Sequence, residues 1–485
     1  MTMRNSWNDS EPTFVGIHAG ETNVDHAQLD GGSFIFESQG IRWAKELGMG
    51  NYNSEGYWDN TVNGLRWTHF RSRAESHNTV IINPDSKPDH KVDSFADIKL
   101  TASKPKGAIA TVDMSELLSE NVTGAKRGFF FTDNRTSLVI RDEIKLKKQS
   151  DIYWIMITDA DAQIDEKGAT FTSSGRKMRL DFVSNAEAQL SIAKAEPLLT
   201  SPKTKPGDEP EETSKRFMIK LSGSGEVNLT VKLSDIDTAV TDVSDYDKSI
   251  DLWEVPDGEI PTPPTISEIT VGGKNISTNG LKTVDYSYVE GSISKPPITE
   301  VNTDLYNVTI NNAATLDERT VITLTDKNDL NNKSVYSVYF NKIKKPIDFD
   351  GRNSLPVMSF SVSDEPQQQN KAANLFDNDL STRWSAEGAG NWILLDLGTV
   401  RKVDDIAMAF MKSGERVYYF NIAVSEDGVT YEKTFDGQSN ATSDYEFYPL
   451  GGKNARYIKI ECNGNSTAAG ENWNSYTELV VTSKK

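Results

Sequence analysis

Short runs of alternating or continuous apolar residues dominate the chain. GSFIFES, HNTVIIN, KGAIATVDM, GFFFTDNRTSLVIRDEI, IYWIMITD, KMRLDFV, RFMIKLSG and EVNLTVKLS are rich in β-branched and aromatic residues, and Gly, Asn and Asp punctuate them. Amphipathic stretches of helical period and useful length are missing. The pattern predicts an all-β protein built as a tandem of antiparallel sandwiches. Two composition shifts divide it. EVPDGEIPTPPT, at 254–265, reads as a stiff linker, and KIKKPIDFDGRNSLP, at 342–356, marks a second break. SPKTKPGDEPEETSK, at 201–215, has strand patterns on both sides and reads as a long surface loop. The predicted domains are therefore 1–250, 251–344 and 345–485.

A length of 485 residues suits about three domains, and 36% hydrophobic residues suffice for a core in each. The net charge of -19 argues against nucleic acid as a partner, because phosphate neutralisation needs clustered Lys and Arg. An acidic polysaccharide stays open if positive charge is gathered locally, as in Arg66, Arg71 and Arg73. The single cysteine, Cys462, excludes a disulfide framework and a cysteine-rich zinc site, and its strand-like neighbours mark it as a buried hydrophobe. No run approaches the roughly 18 apolar residues of a membrane span. MTMRNSWNDSE lacks the apolar stretch of a signal peptide, so the chain reads as cytoplasmic or as the trimmed part of a longer secreted protein.

All five histidines lie between His18 and His90, which places the candidate proton-transfer and metal chemistry in one segment. Within it, His26, Gln28, Glu46 and His77 sit in strand-like contexts. Tyr52, Tyr57 and Trp58, in NYNSEGYW, lie on a loop where aromatic faces can stack on sugar rings. In RWTHFRSR, which also carries Arg66 and His69, strand alternation sends Arg71 and Arg73 to one face. That pair is either a bidentate carboxylate clamp or an exposed basic strand facing the abundant Asp and Glu. His18 and His90 are assigned to structure or solvent. A metal-dependent amidohydrolase needs a parallel barrel with β/α alternation, which is absent, and Asp30 before Gly31-Gly32 reads as a turn residue.

Three blocks carry a resemblance: RNSWNDSEPTFVGIHAG, then NVDHAQLDGGSFIFESQGIRWAKELGMGNYNSEGYW, then RWTHFRSRAESHNTVIIN. Over roughly residues 4–235 the chain resembles the central β-sandwich of the heparinase II/III-like polysaccharide lyases, among them alginate lyases. The resemblance implies β-elimination at a uronic acid: the carboxylate is neutralised, the proton alpha to it removed, and the leaving glycosidic oxygen protonated. It also implies an α/α-toroid partner preceding the sandwich, which this chain lacks and without which it is expected to be inactive. His26 matches the family's cleft histidine, expected to abstract the proton or help neutralise the carboxylate. Gln28, Glu46 and His77 match the family's metal positions. One imidazole and two oxygen donors leave zinc, manganese or calcium open, beside a metal-free hydrogen-bond cluster, and in either case the role is to brace the sandwich beneath the cleft.

The middle module, 260–343, is similar to small immunoglobulin-like or cadherin-like spacers. KAANLFDNDLSTRWSAEGAGNWILLDLGTVRKVDDIAMAF, FNIAVSEDGVTYEK and ARYIKIEC resemble the discoidin, or coagulation-factor type C, family. That resemblance implies a jelly roll often used for carbohydrate binding, with Asp377, Asp379, Thr382 and Glu478 as hard oxygen ligands for calcium. Trp384 and Trp392 take core positions in it, and Trp473 is the candidate sugar contact. The chain therefore reads as the C-terminal part of a secreted lyase of uronate-containing glycans, alginate first. The rival readings are a lyase of a glycosaminoglycan and a non-catalytic carbohydrate-binding fragment.

Overall fold

A computed structural model describes residues 1–485 except 7–11, 174–175, 204–212, 237–240, 279, 331, 365–367 and 468–471. Most of the loop read at 201–215 lies outside the described residues. Strands dominate, and among the described residues every helix is a 3-10 turn of at most five residues, as in Ala372–Phe376. No helix among them is long and apolar enough to cross a membrane. The chain divides into two compact units, Met1–Pro263 and Pro264–Lys485.

In the first unit, an eight-stranded antiparallel sheet runs from Asp161–Asp165 at one edge to Asp97–Lys104 at the other, with Glu226–Asp235, Ser137–Leu146 and Val122–Thr132 near its middle. Two four-stranded sheets accompany it: a meander of Thr2–Arg4, Phe14–Ile17, Phe34–Ser38 and Ile41–Ala44, and a sheet ordered Ala188–Lys194, Lys215–Gly223, Ser150–Thr158, Val80–Ile82. The inward positions of these strands form one core that includes Phe34, Phe36, Trp43, Phe129, Phe131, Ile140, Trp154 and Phe217. Apolar alternation thus does what it should, since one face of each strand is removed from water. The chain stays with this unit past residue 250, because Ile250, Trp253 and Val255 pack with Ile109, Phe130 and Val139.

The second unit holds two cores. Residues 268–343 form a three-stranded and a four-stranded sheet around Ile269, Tyr286, Ile322, Tyr336 and Phe340. One pairing there is parallel, Thr283–Val289 on Lys333–Ile343. The remaining strands, Arg352–Leu355 to Trp473–Lys484, form an eight-stranded sheet around Trp384, Phe410, Tyr418, Phe420 and Tyr476. The two cores adjoin around the sequence-derived boundary at 344–345, since Ile343 belongs to the second core and Met358 packs against the first. Cys462 is fully buried in the second of them.

Candidate functional site

The histidine segment leaves the meander as a folded loop. His26 stands at the tip of a turn closed by Ala27 N–H on the Val24 carbonyl (3.0 Å), with φ of 65°. It is therefore on a turn and not in the strand context read from the sequence. A left-handed backbone costs a residue with a Cβ about 1–2 kcal/mol, and it persists only where the surroundings hold it. Gly31 and Gly32 let the same loop press onto the turn that follows the strand Gly107–Asp113. A Cβ on Gly31 would lie 2.3 Å from Leu117 Cδ1, and one on Gly32 2.7 Å from the Met114 sulfur.

Three exposed rings meet at the tip. The Tyr52 hydroxyl is 3.2 Å from His26 Nδ1, and the Trp58 ring meets the imidazole edge-on at 5.0 Å. Trp58 Nε1 donates to the Tyr52 carbonyl at 3.0 Å, which ties the two aromatic residues together. Tyr52 and Trp58 remain 37% and 48% exposed, so both side chains can be reached from solvent.

The residues beneath are built to hold this tip. Arg66, only 1% exposed, donates twice to the Ala27 carbonyl (2.9 and 2.6 Å) and once to that of Tyr57 (2.7 Å). Its guanidinium lies 4.6 Å from the centre of the buried Tyr57 ring. His69, also buried, approaches the Glu55 carbonyl through Nε2 at 3.1 Å and packs on Tyr57. Tyr57, Arg66 and His69 were expected to touch substrate; they are sealed below the surface and brace the loops instead. RWTHFRSR is likewise no strand but successive 3-10 turns, Leu65–Thr68, Phe70–Ser72 and Ala74–Ser76. Arg73 is consequently buried against Glu75 and Asp89, while the half-buried Arg71 donates to the Leu47 carbonyl, and the two do not form a clamp.

Of the metal candidates, Glu46 and His77 meet and Gln28 turns elsewhere. His77 Nδ1 is bonded to the Glu46 carboxylate, and its Nε2 lies 3.1 Å from the Arg71 carbonyl. Gln28 Nε2 donates to the Gly48 carbonyl at 3.4 Å. A carbonyl on Nε2 is the partner expected behind a metal-binding Nδ1, and here Nδ1 faces the Glu46 carboxylate, which an ion would have to separate from it. Two of the three residues thus fit a cation, and Gln28 as placed does not converge with them. Burial pulls the His77 pKa down, but the Glu46 carboxylate and Asp30 outweigh it and raise it to about 9. Because the folded value is raised, the pair stabilises fully below about pH 6.5 and loses that contribution as pH rises through about 9. Thermal unfolding of the metal-free chain is expected to show this decline, and His77→Gln to flatten it.

Sequence reading did not pick out the residues that fix this pair. Asn78, fully buried, donates to the carbonyls of Phe34 (2.6 Å) and Lys45 (2.8 Å) and accepts from Ile157 N–H (2.5 Å). Arg127 forms a buried bidentate pair with Asp142 (2.7 and 2.9 Å) and reaches the carbonyls of Gly32 (2.8 Å) and Asn78 (3.2 Å). It couples both histidine loops to the large sheet. Arg127→Met strands the Asp142 carboxylate, and a loss of about 3–5 kcal/mol is expected in urea unfolding. His18 pairs with Asp30 at 3.1 Å, and the buried His90 binds the Val80 carbonyl at 2.9 Å.

In the second unit, Asp377 accepts from Asp379 N–H (3.0 Å) and from the Thr382 hydroxyl (2.7 Å), and Glu478 accepts from the same Asp379 N–H (3.0 Å). Glu478 Oε2 is buried without a hydrogen-bond partner. Burial, then the facing Asp377 carboxylate, raises the Glu478 pKa to about 9. Two converging carboxylates, one of them with an orphaned oxygen, and a hydroxyl fit a hard cation. Asp379 turns its carboxylate to Ser381 (2.6 Å) and shapes the loop. Among the described residues, no three His, Cys, Asp or Glu side chains gather as a metal cluster by themselves. Trp384 is fully buried, Trp392 is partly exposed, and Trp473 opens the last strand in a half-buried position.

Residues 3–239 match the family model described as heparinase II/III-like, C-terminal, and residues 359–479 match that of the F5/8 type C domain. The chain joins a heparinase II/III-like C-terminal domain to an F5/8 type C domain. Among solved structures it is similar to the CBM32 of AlyQ in complex with 4,5-unsaturated mannuronic acid, at 31% identity over 27% of this chain and 97% of that one, with a TM-score of 0.25. A pectin binding carbohydrate binding module shares 26% identity over 26% of this chain and 91% of its own, with a TM-score of 0.24. Heparan sulfate lyase HepC from Pedobacter heparinus shares 12% identity over 70% of this chain, with a TM-score of 0.39, and the chain spans 40% of its length. No curated protein matches the chain.

Proposed function

We propose that the chain is the C-terminal part of a secreted polysaccharide lyase that cleaves a uronate-containing glycan by β-elimination, with alginate as the leading substrate. The observation that carries this reading is the exposed His26, held in a left-handed turn against Tyr52 and Trp58 on a heparinase II/III-like domain. An imidazole beside exposed aromatic side chains suits a sugar ring bearing a carboxylate. The rings stack, and the histidine meets the charge that grows on the carboxylate as the alpha proton leaves. The acid that protonates the leaving oxygen belongs to an α/α-toroid partner in this reading.

Metal enters as support. A divalent ion held by Glu46 and His77 would supply a fixed charge that braces the loops under His26; Gln28 would have to turn from the Gly48 carbonyl to join them as a third oxygen donor. Calcium held by Asp377, Glu478, Thr382 and nearby carbonyls would lock the F5/8 type C loop. In that domain Trp473 is the proposed sugar contact, and Arg71 is the remaining cation at the edge of the lyase loops. Gln28→His adds a second imidazole, and zinc content by atomic emission is expected to rise; unchanged metal content contradicts a site there.

Turnover tests the proposal. With an α/α-toroid from an alginate lyase of this family supplied, alginate is expected to yield ultraviolet absorbance from unsaturated uronate. Product from heparan sulfate and none from alginate would move the substrate to the glycosaminoglycans. Product from neither would leave a carbohydrate-binding fragment.

A further inference from the structure

We propose that Tyr52 is a positioning residue that holds His26 with Nε2–H facing outward, so that the imidazole neutralises the uronate carboxylate and does not abstract the proton. This inference rests on the lyase reading and narrows it. The phenol lies 3.2 Å from Nδ1. A phenolic O–H is a good donor to the lone pair of a neutral imidazole, and the bond made by one ring nitrogen decides which nitrogen carries the proton. With Nδ1 accepting from Tyr52, the proton stays on Nε2. A base would need that nitrogen bare; a donor to a carboxylate needs it protonated.

The surroundings are arranged to keep the bond made. Trp58 meets the imidazole at an interplanar angle of 89°, and its own Nε1 is fixed on the Tyr52 carbonyl. Both loops hang from one buried cation, since Arg66 binds the carbonyl of Ala27, next to His26, and that of Tyr57, next to Trp58. The spacing between His26 and Tyr52 is therefore set from below, with His26 itself held at a φ of 65°. The result is a donor on an exposed residue that needs no reorganisation when carboxylate charge develops.

Two measurements decide it. In the full chain labelled with nitrogen-15 histidine, His26, assigned by His26→Gln, is expected as one Nε2–H tautomer, and Tyr52→Phe should turn it into an averaging mixture. In the toroid-complemented enzyme, Tyr52→Phe should lower kcat about tenfold with KM changed less than about twofold. His26→Gln, whose amide nitrogen reaches the place of Nε2, should keep roughly ten times more turnover than His26→Asn. An Nδ1–H tautomer, no response to Tyr52→Phe, or equal loss in the two amide variants overturns the proposal. A complemented wild-type chain without turnover overturns the lyase reading and the carboxylate role with it, while the tautomer measurement still decides the Tyr52–His26 bond by itself.

Discussion

His26→Gly in the complemented enzyme is expected to cut kcat/KM by about 10²–10⁴-fold while making the protein more stable. The two effects have separate causes. Turnover falls because the imidazole is gone. Stability rises because glycine adopts the φ of 65° without the clash that a Cβ brings, a gain of about 1 kcal/mol or roughly 2–4 °C in Tm for a unit of this size. His26→Ala should lose the same turnover with stability changed by less than about 0.5 kcal/mol, since the side chain is exposed. Loss of folding with normal turnover in the surviving fraction would assign His26 to structure alone.

Glu478→Gln is expected to stabilise the calcium-free chain at pH 8 and to abolish its response to calcium. The Glu478 pKa is raised to about 9, so the folded state holds a proton that the unfolded state releases near pH 4.5. Between those values stability falls as pH rises, because the folded form binds more protons. Glutamine mimics the protonated carboxyl without taking a proton from solution at pH 8, and so escapes that cost. Calcium does the reverse: it takes the deprotonated pair, and at one hundred times its Kd adds about 2.7 kcal/mol. Calorimetric scans with calcium and with a chelator separate the cases; equal calcium shifts in wild type and variant would place the ion elsewhere.

Strands were legible because burial of one face writes itself into alternation. RWTHFRSR was not, although it alternates as well. Thr68 and Ser76 turn their hydroxyls back to the carbonyls of Leu65 (2.7 Å) and Arg73 (2.9 Å), closing 3-10 turns with three residues per turn in place of a strand's period of two. Arg66 and Arg73 looked available to a ligand because arginine is seldom fully buried; here carbonyls, Glu75 and Asp89 pay for their desolvation. Asn78 could be read as part of SHNTV, but its work lies in contacts to Phe34, Lys45 and Ile157, far along the chain, which no local pattern reveals. The left-handed turn at His26 is likewise silent, since no glycine marks it. The meeting of Glu46 with His77 and of Asp377 with Glu478 was readable only through family resemblance.

The most direct test of the central claim, that the first unit supplies one wall of a sugar-cleaving groove, is absorbance of unsaturated uronate in three mixtures with alginate. These contain the chain alone, the toroid alone, and both together. Product is expected only when both are present, and is expected to disappear when the chain carries His26→Ala. Equal rates with the toroid alone and with the pair would contradict it.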